Sequence, residues 1–193
     1  YARWIRVSMD AGTKETHAEI HKTNLRDFDR IIDNLTEAVK LKKKNGWTCT
    51  LGMQFLLLPE NREEIPILAD IGRRIGVDYL VVKPYSQHPQ SCTQVYKDMN
   101  YEEELKRQQE IEALSSNGFK VVFRGHTMKK WDNPERSYER CQAMNFWTYI
   151  DASGIVWGCC NHLRDERFFF GNLHENTFQD IWEGPRRLKQ MEW

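Results

Sequence analysis

The sequence has 193 residues, enough for one large domain or for a modest domain with an appendage. Lysine plus arginine and aspartate plus glutamate each total 28, so no net charge favours nucleic acid or an anionic membrane. Hydrophobic residues make up 40% and aromatic residues 12%, which is typical of a globular fold. The longest apolar run, Phe55–Leu58, is far too short to cross a bilayer, so neither nucleic acid nor a membrane is an expected partner.

The start of the sequence and its cysteines predict a cytoplasmic protein with further sequence upstream. Tyr1 stands directly before a predicted strand, without an initiator methionine or a signal peptide, whereas a domain seldom begins so abruptly. The five cysteines, at positions 49, 92, 141, 159 and 160, are odd in number, and two of them are adjacent. This pattern favours a reducing compartment, with metal binding or buried free thiols rather than a disulfide framework.

Strand-like and helix-like segments alternate over the first two thirds of the sequence. Apolar runs bounded by turn residues predict strands at Arg3–Ser8, Thr48–Leu58, Tyr79–Lys83 and Phe119–Phe123. Apolar residues at helical spacing predict three intervening helices, over residues 28–45, 61–76 and 100–118. For the second helix, Asn61 is the predicted N-cap, Glu64 is its capping-box partner, and Gly76 follows the last turn.

This alternation predicts an α/β fold with a parallel sheet and helices on one or both faces. Four strands are too few to close a barrel, which needs about eight βα units and ~250 residues. Residues 1–130 are therefore predicted to form either an open, doubly wound sheet or part of a β/α barrel.

The character of the sequence changes at Trp131, where a turn-rich linker over residues 131–136 is predicted. Residues 146–151 and 155–159 flank the turn Ala152-Ser153-Gly154 and predict a β-hairpin. Thr177–Trp182 predicts a short helix, which Gly184-Pro185 weakens. Residues 131–193 are thus predicted to form a second, small module built from a β-hairpin and a helix.

The strongest local pattern is Cys141, twelve residues, Gly154, four residues and Cys159, with Cys160 adjacent. A hairpin with glycine at its turn would return Cys159 toward the start of the hairpin, so that thiols eighteen positions apart lie on one side of the module. Soft thiolates held in this way suit zinc or an iron–sulfur cluster. Buried free cysteines that pack as small hydrophobic side chains are the alternative.

The segment from Cys141 to Trp182 contains this pattern and the run Gly171-Asn-Leu-His-Glu-Asn-Thr-Phe-Gln-Asp-Ile-Trp. It resembles the SPASM/twitch module of radical S-adenosylmethionine (SAM) enzymes. Upstream, Val7-Ser8-Met9-Asp10 and residues 17–22 are similar to the fourth strand of the radical SAM barrel and its loop. Residues 56–63 resemble the fifth strand and residues 76–86 the sixth, so the resemblance covers most of the chain in the family's order.

The resemblance implies the later strands of a radical SAM barrel in residues 1–130 and an incomplete auxiliary [4Fe–4S] module in residues 131–193. Cys141, Cys159 and Cys160 are the implied cluster ligands, with His162 as a further donor. The Cys-x-x-x-Cys-x-x-Cys segment that binds the family's SAM-cleaving cluster does not occur in the sequence. We therefore expect that second cluster in the upstream part of a parent enzyme, and we expect this chain alone to be inactive.

For SAM itself, the expected site is at the carboxyl ends of the barrel strands, where the ligands of such barrels bind. Ser8 and Asp10 lie at one such end, Gln54 lies in the next strand, and residues 83–86 follow another strand. The resemblance implies that Ser8 contacts SAM, and Asp10 and Gln54 are the further candidates.

The reaction that the resemblance implies belongs to the parent enzyme. A reduced cluster and SAM would generate a 5′-deoxyadenosyl radical, which abstracts a hydrogen atom from a peptide, a carbohydrate or a small metabolite. The auxiliary cluster would accept an electron from the substrate radical or bind the substrate. An electron donor such as flavodoxin or ferredoxin is the implied protein partner.

Two other interpretations remain open at the level of sequence. The first is a zinc-stabilised α/β binding module in which Cys141, Cys159, Cys160 and His162 are structural ligands. The second is a degenerate, non-catalytic relative that keeps the end of the barrel as an interaction surface.

Three features outside this pattern carry smaller predictions. His17 and His21, spaced i, i+4, are predicted to be a structural or solvated pair rather than a zinc site. Cys49 alternates with Leu51 and is predicted to pack in the core. The exposed sheet edge at Arg3–Ser8 predicts oligomerisation or strand exchange with another chain.

Overall fold

The computed structural model describes residues 2–88, 90–132, 135, 138–139 and 141–192, which form two compact units. The first unit comprises Tyr1–Ser86 and Val95–Pro134, and the second comprises Gln87–Gln94 and Glu135–Trp193. The second unit therefore takes a short segment from within the first two thirds of the sequence. Within the described residues, none of the helices combines the length and the apolar character needed to span a bilayer.

The first unit contains a parallel sheet of four strands in the order β1-β2-β3-β4. Its strands are β1 Trp4–Ser8, β2 Thr50–Leu57, β3 Tyr79–Pro84 and β4 Lys120–Phe123. Its helices are α1 Lys14–His21, α2 Leu25–Asn45, α3 Ile65–Ile75, α4 Glu102–Lys106, α5 Gln108–Glu112 and α6 Gly125–Asp132. The predicted α/β fold is confirmed, and all four strands lie where the apolar runs predicted them.

The two faces of this sheet differ in polarity because side chains alternate along each strand. One face carries the apolar core, in which Met53, Phe55 and Leu80 are fully buried. The strand register places Ser8 and Gln54 side by side on the opposite face. Polar groups are thereby presented on the face of the sheet that the core leaves uncovered.

The structure corrects one predicted helix and one predicted linker. The helix predicted over residues 100–118 is split into α4 and α5 at Arg107, which has a φ of −87° and a ψ of 3°. The linker predicted over residues 131–136 lies partly outside the described residues, and its first two residues end α6. As predicted, Gly76 ends α3 with a φ of +88°, a conformation that glycine adopts without a steric cost.

The second unit contains an antiparallel sheet of three strands, β5 Tyr149–Ile150, β6 Ile155–Trp157 and β7 Phe169–Asn172. The predicted hairpin is confirmed, because β5 pairs with β6 around Gly154, which has a φ of +76°. Val156, Phe170 and Ile181 form a small separate core beneath this sheet. The strand β7 was not predicted and extends the hairpin into a sheet.

Two short helices close the second unit, α7 Phe178–Trp182 and α8 Pro185–Met191. Thr177 and Asp180 form a capping box at the start of α7. The helix α7 ends at Trp182, before Gly184-Pro185, and Pro185 is the first residue of α8, a helix that the sequence did not predict. Proline is favoured there, since its fixed φ suits the first helical turn and the missing N–H would have no helical partner.

Candidate cofactor sites

The pairing of β1 with β2 brings Ser8, the last residue of β1, into contact with Gln54, which lies within β2. The two residues are direct neighbours in the parallel register, and Gln54 Nε2 donates a hydrogen bond to Ser8 Oγ over 2.8 Å. Ser8 is exposed, whereas Gln54 is buried. Because its oxygen accepts from Gln54, the Ser8 hydroxyl keeps its own hydrogen to donate to a ligand.

Asp10 closes the turn that follows β1. Its backbone has a φ of +54°, a left-handed conformation that only Gly, Asn and Asp adopt with any ease. Its Oδ1 accepts a hydrogen bond from the Leu56 amide over 2.7 Å, and its Oδ2 lies 3.6 Å from His21 Nε2. Asp10 is only 6% exposed, so its carboxylate ties the end of β1 to β2 from within.

The pKa values of Asp10 and Lys83 are both shifted at this end of the sheet. Burial raises the pKa of Asp10 from its ordinary value, while the hydrogen bond from the Leu56 amide and the nearby His21 act in the opposite direction. Burial lowers the pKa of Lys83, and the Arg6 guanidinium lowers it further. Asp10, which follows β1, and Lys83, near the end of β3, therefore lie within electrostatic range of each other across β2.

His17 and His21 both direct a ring nitrogen at the same backbone oxygen. His17 Nδ1 lies 2.8 Å and His21 Nε2 lies 3.3 Å from Met9 O, and the two rings are 4.3 Å apart. Each of these nitrogens must carry a hydrogen to donate to this carbonyl. Both rings are thereby held against the end of β1, which gives the pair a structural role.

The side chains of Asn61 and Glu64 bind the turn after β1 that contains Asp10. The sequence-based assignment of these two residues to a helix cap missed this role. Asn61 is fully buried, accepts a hydrogen bond from Leu58 N, and donates to Asp10 O and Leu56 O, each over 2.8 Å. The predicted N-cap at Asn61 is therefore wrong, because α3 begins at Ile65 and the Asn61 amide is engaged elsewhere.

The Glu64 carboxylate serves the start of α1 rather than that of α3. Its Oε2 accepts from Gly12 N over 2.7 Å, and its Oε1 accepts from the hydroxyls of Thr13 and Thr16 over 2.9 and 2.7 Å. These partners lie about fifty positions away along the chain, so local spacing could not reveal them. The feature of the sequence that could have indicated this role is that Asn61 and Glu64 are polar residues that follow the end of β2.

The second unit contains the cysteines that the sequence singled out. Cys141 is exposed, Cys159 and Cys160 are half-buried, and none of them forms a disulfide. Cys141 lines a cavity of about 280 Å³ together with Met144, Phe168 and Gln190. The Cys160 residue begins a short 3-10 helix that ends at His162.

The segment 87–94 fastens the turn that carries Cys160. His88 Nε2 lies 3.2 Å from Cys160 O, and Gln90 Nε2 donates to Leu163 O over 2.6 Å. Gln90 N donates to His88 Nδ1 over 3.1 Å. Because Nδ1 accepts this hydrogen bond, Nε2 is the ring nitrogen that can donate to Cys160 O.

The three candidate thiols fit an iron–sulfur cluster in chemistry but are not gathered into a finished site. Among the described residues, no three His, Cys, Asp or Glu side chains lie together as a metal-binding group. Cys141, Cys159 and Cys160 are nevertheless unpaired soft donors in one small unit, and Cys141 borders a cavity. Binding of a cluster would therefore have to draw these ligands together.

Of the remaining cysteines, Cys49 packs against the core of the first unit, as predicted, and Cys92 is exposed on the segment 87–94.

Among the other predicted site residues, Ser8 and Gln54 are brought together by the fold, and Asp10 holds the end of β1 against β2. His162 stacks on Phe168 at 4.3 Å between ring centroids.

Comparison with known proteins gives a family match for the second unit and a fold likeness for the chain. Residues 141–192 match the model of the SPASM family, described as an iron–sulfur cluster-binding domain. The four-stranded parallel sheet and its helices resemble part of a radical SAM barrel in fold. The chain therefore carries a SPASM match together with a sheet of that fold, as the resemblance stated from the sequence implied.

The particular structures that it resembles are two crystal structures of SuiB from Streptococcus suis. For SuiB bound to S-adenosylmethionine, the TM-score is 0.65 at 19% identity, over 94% of this chain and 42% of SuiB. For the other SuiB structure, the TM-score is 0.65 at 16% identity, over 98% and 45%. The chain spans less than half the length of either SuiB chain. No curated protein sequence matches the chain.

Proposed function

We propose that this chain is a region of a radical SAM enzyme whose SPASM domain binds an auxiliary [4Fe–4S] cluster. The observation that carries the proposal is the SPASM match, which starts at Cys141 and includes Cys159 and Cys160. The radical SAM fold of the other unit supports the same assignment independently.

Cys141, Cys159 and Cys160 are the proposed cluster ligands, because their thiols are free and lie in one unit. When bound, the cluster supplies an electron acceptor or a binding point for substrate. His88 and Gln90 keep the turn that begins at Cys160 in place through backbone carbonyls. The Trp157 indole donates to Asp151 Oδ2 over 2.8 Å and fixes the hairpin that presents Cys159.

SAM is proposed to bind at the carboxyl ends of β1 and β2. Ser8 is exposed there and retains a hydroxyl hydrogen, so it can donate to an oxygen of SAM. Gln54 orients this hydroxyl, and Asp10 holds the end of β1 against β2. Asp10 is thus a positioning residue for the end of β1, because its carboxylate already accepts a hydrogen bond from the Leu56 amide.

The complete reaction is proposed for the parent enzyme. SAM would supply the 5′-deoxyadenosyl radical that abstracts a hydrogen atom from a peptide, carbohydrate or small-metabolite substrate. Flavodoxin or ferredoxin is the proposed class of electron donor. The Cys-x-x-x-Cys-x-x-Cys segment for the SAM-cleaving cluster is not among these 193 residues, so we expect the chain alone to be inactive.

Anaerobic reconstitution of the 193-residue chain with iron and sulfide tests the cluster. We expect a brown protein with stoichiometric iron and sulfide, and we expect C141A and C159A each to lose most of both. C92A is the matched control, since it removes an exposed cysteine of the same unit and should leave the iron content unchanged. A colourless chain that binds zinc instead would contradict the proposal and support the zinc-stabilised module.

Calorimetric titration of the chain with SAM tests the second site. We expect S8A and Q54A to weaken binding about tenfold each, the equivalent of one strong hydrogen bond. T50A is the control, because Thr50 lies on the same face of β2 at its other end. The SAM assignment fails if the wild-type chain does not bind SAM, or if S8A and Q54A bind it as the wild type does.

A further inference from the structure

Arg187 in α8 is a buried cation without a counter-ion. It is only 8% exposed, and among the described residues of the second unit it is the one charged side chain buried to this degree. No carboxylate of the described part of the chain forms an ion pair with it. A buried charge that lacks an opposite charge is costly, which indicates that an anion is expected nearby.

The contacts of Arg187 lead to the cavity that Cys141 lines. Its Nη2 donates to Met144 O over 3.3 Å, and Met144 is one of the cavity residues. Its Nη1 donates to Trp182 O over 2.9 Å, and its guanidinium lies 3.7 Å from the centre of the Trp182 ring. Trp182 therefore packs against the guanidinium, and Met144 connects it by one hydrogen bond to the wall of the cavity.

Two polar atoms of α8 are buried without a hydrogen-bond partner in the described part of the chain. They are Arg187 Nε and Gln190 Oε1, which lie on the same side of α8 at i, i+3. Gln190 itself lines the cavity with Cys141. Buried polar atoms are nearly always hydrogen-bonded, so these two atoms are available to a bound group.

We propose that Arg187 is the buried counter-charge of the auxiliary cluster and that it raises the reduction potential of that cluster. The inference rests on the proposed function, since it needs a cluster ligated by Cys141. A [4Fe–4S] cluster with thiolate ligands is anionic, and reduction adds one more negative charge. A fixed positive charge in a poorly solvated site stabilises the reduced form more than the oxidised form, because net charge and solvent exposure set such potentials.

A purely structural role for Arg187 is the competing explanation, because its bond to Trp182 O caps the end of α7. Substitution by lysine separates the two roles. R187K keeps the charge but loses the planar guanidinium that reaches two carbonyls, whereas R187Q loses the charge as well. A structural role predicts that both variants change stability and leave the potential alone.

The experiment is a redox titration of the reconstituted 193-residue chain, followed by electron paramagnetic resonance of the reduced cluster. We expect R187Q to lower the ratio of reduced to oxidised cluster about tenfold at a fixed potential, which is 59 mV for a one-electron couple. R187K should keep a potential close to that of the wild type, even if its melting temperature falls. R186Q is the matched control: Arg186 is the neighbouring cation on α8, and it is exposed and paired with Glu166. We expect R186Q to change the ratio less than about twofold because water screens an exposed charge.

Q190E provides a second route in case R187Q does not fold. It places a carboxylate at the buried Gln190 Oε1 and so neutralises Arg187 while leaving it in place. We expect Q190E to lower the potential in the same direction as R187Q. A wild-type chain that assembles no cluster would overturn the proposed function itself. A cluster whose potential is unchanged in R187Q, or unchanged in Q190E, or lowered equally in R187K, would overturn only the role of Arg187.

Discussion

The Asn61 side chain links the turn after β2 to the end of that strand and to the turn after β1. Its amide is fully buried and makes three hydrogen bonds to backbone groups of Leu58, Asp10 and Leu56. We expect N61A to reduce the free energy of unfolding by about 3 kcal/mol, because buried backbone groups would lose their partners. Urea denaturation of the chain measures this change. N34A, on the exposed side of α2, is the control and should stay within about 0.5 kcal/mol of the wild type. A loss below about 1 kcal/mol in N61A would show that water replaces the amide.

The raised pKa of Asp10 predicts a pH-dependent stability. Between its pKa in the unfolded chain, about 4, and its higher pKa in the folded chain, the folded state binds more protons than the unfolded state. The free energy of unfolding therefore falls as the pH rises through this window. The D10N side chain does not titrate, but it keeps an oxygen that can accept from the Leu56 amide. Asparagine also tolerates the positive φ at this position.

We therefore expect D10N to become progressively more stable relative to the wild type from about pH 4 upward, and the difference to level off above the folded-state pKa. Urea denaturation of both proteins at several pH values measures the difference, and groups that do not interact with Asp10 cancel. A difference that stays constant with pH, or that shrinks as the pH rises, would contradict the burial of the charge.

At the scale of elements, the segment 87–94 predicts the reactivity of Cys160. His88 and Gln90 hold the backbone on either side of the short helix that begins at this cysteine. We expect H88A to increase the rate of Cys160 alkylation about fivefold, since one hydrogen bond contributes about 1 kcal/mol against local opening. Iodoacetamide labelling with mass spectrometry measures the rate. Cys49, in the first unit, is the internal control, and an unchanged Cys160 rate would show that the segment does not restrain the turn.

The strands of the first unit could be predicted because each one is a local pattern. β2 and β3 are apolar runs that end at turn residues, and their parallel pairing follows from the alternation of strands with helices. The hairpin β5–β6 was likewise visible, since Gly154 stands between two short strand-like runs. The cysteine spacing around it carried the assignment of the second unit.

The elements that could not be predicted depend on contacts distant in sequence. Glu64 looks like part of a helix cap, but its carboxylate binds Thr13 and Thr16 at the start of α1. Strand β7 has no alternation of its own and is defined by pairing with β6. Arg187 is one of several arginines near the end of the sequence, and nothing in the local pattern shows that it is buried. The site residues Ser8, Gln54, Cys141, Cys159 and Cys160 stay predictions until ligand binding is measured.

At the scale of the whole molecule, the described sheet ends at β1. Trp4 and Ile5 are 59% and 46% exposed, and β1 pairs only with β2. Exposed apolar edge strands pair readily with other chains, so we expect concentration-dependent self-association. I5K should weaken it about tenfold, because a lysine on an edge strand opposes pairing. Light scattering over a range of concentrations measures the effect. I67K, at a similarly exposed isoleucine of α3, is the control, and a wild-type chain that is monomeric throughout would contradict the expectation.

The segment 87–94 also bears on the order in which the chain acquires its structure during synthesis. The partners of His88 and Gln90, Cys160 and Leu163, leave the ribosome some seventy residues later. Domains generally fold from the amino terminus onward as the chain emerges. The first unit can therefore fold before the hydrogen-bond partners of this segment have been synthesised. Closing so long a loop costs little more entropy than closing a short one. The cysteine-bearing unit would then be the last to form, after the sheet is already in place.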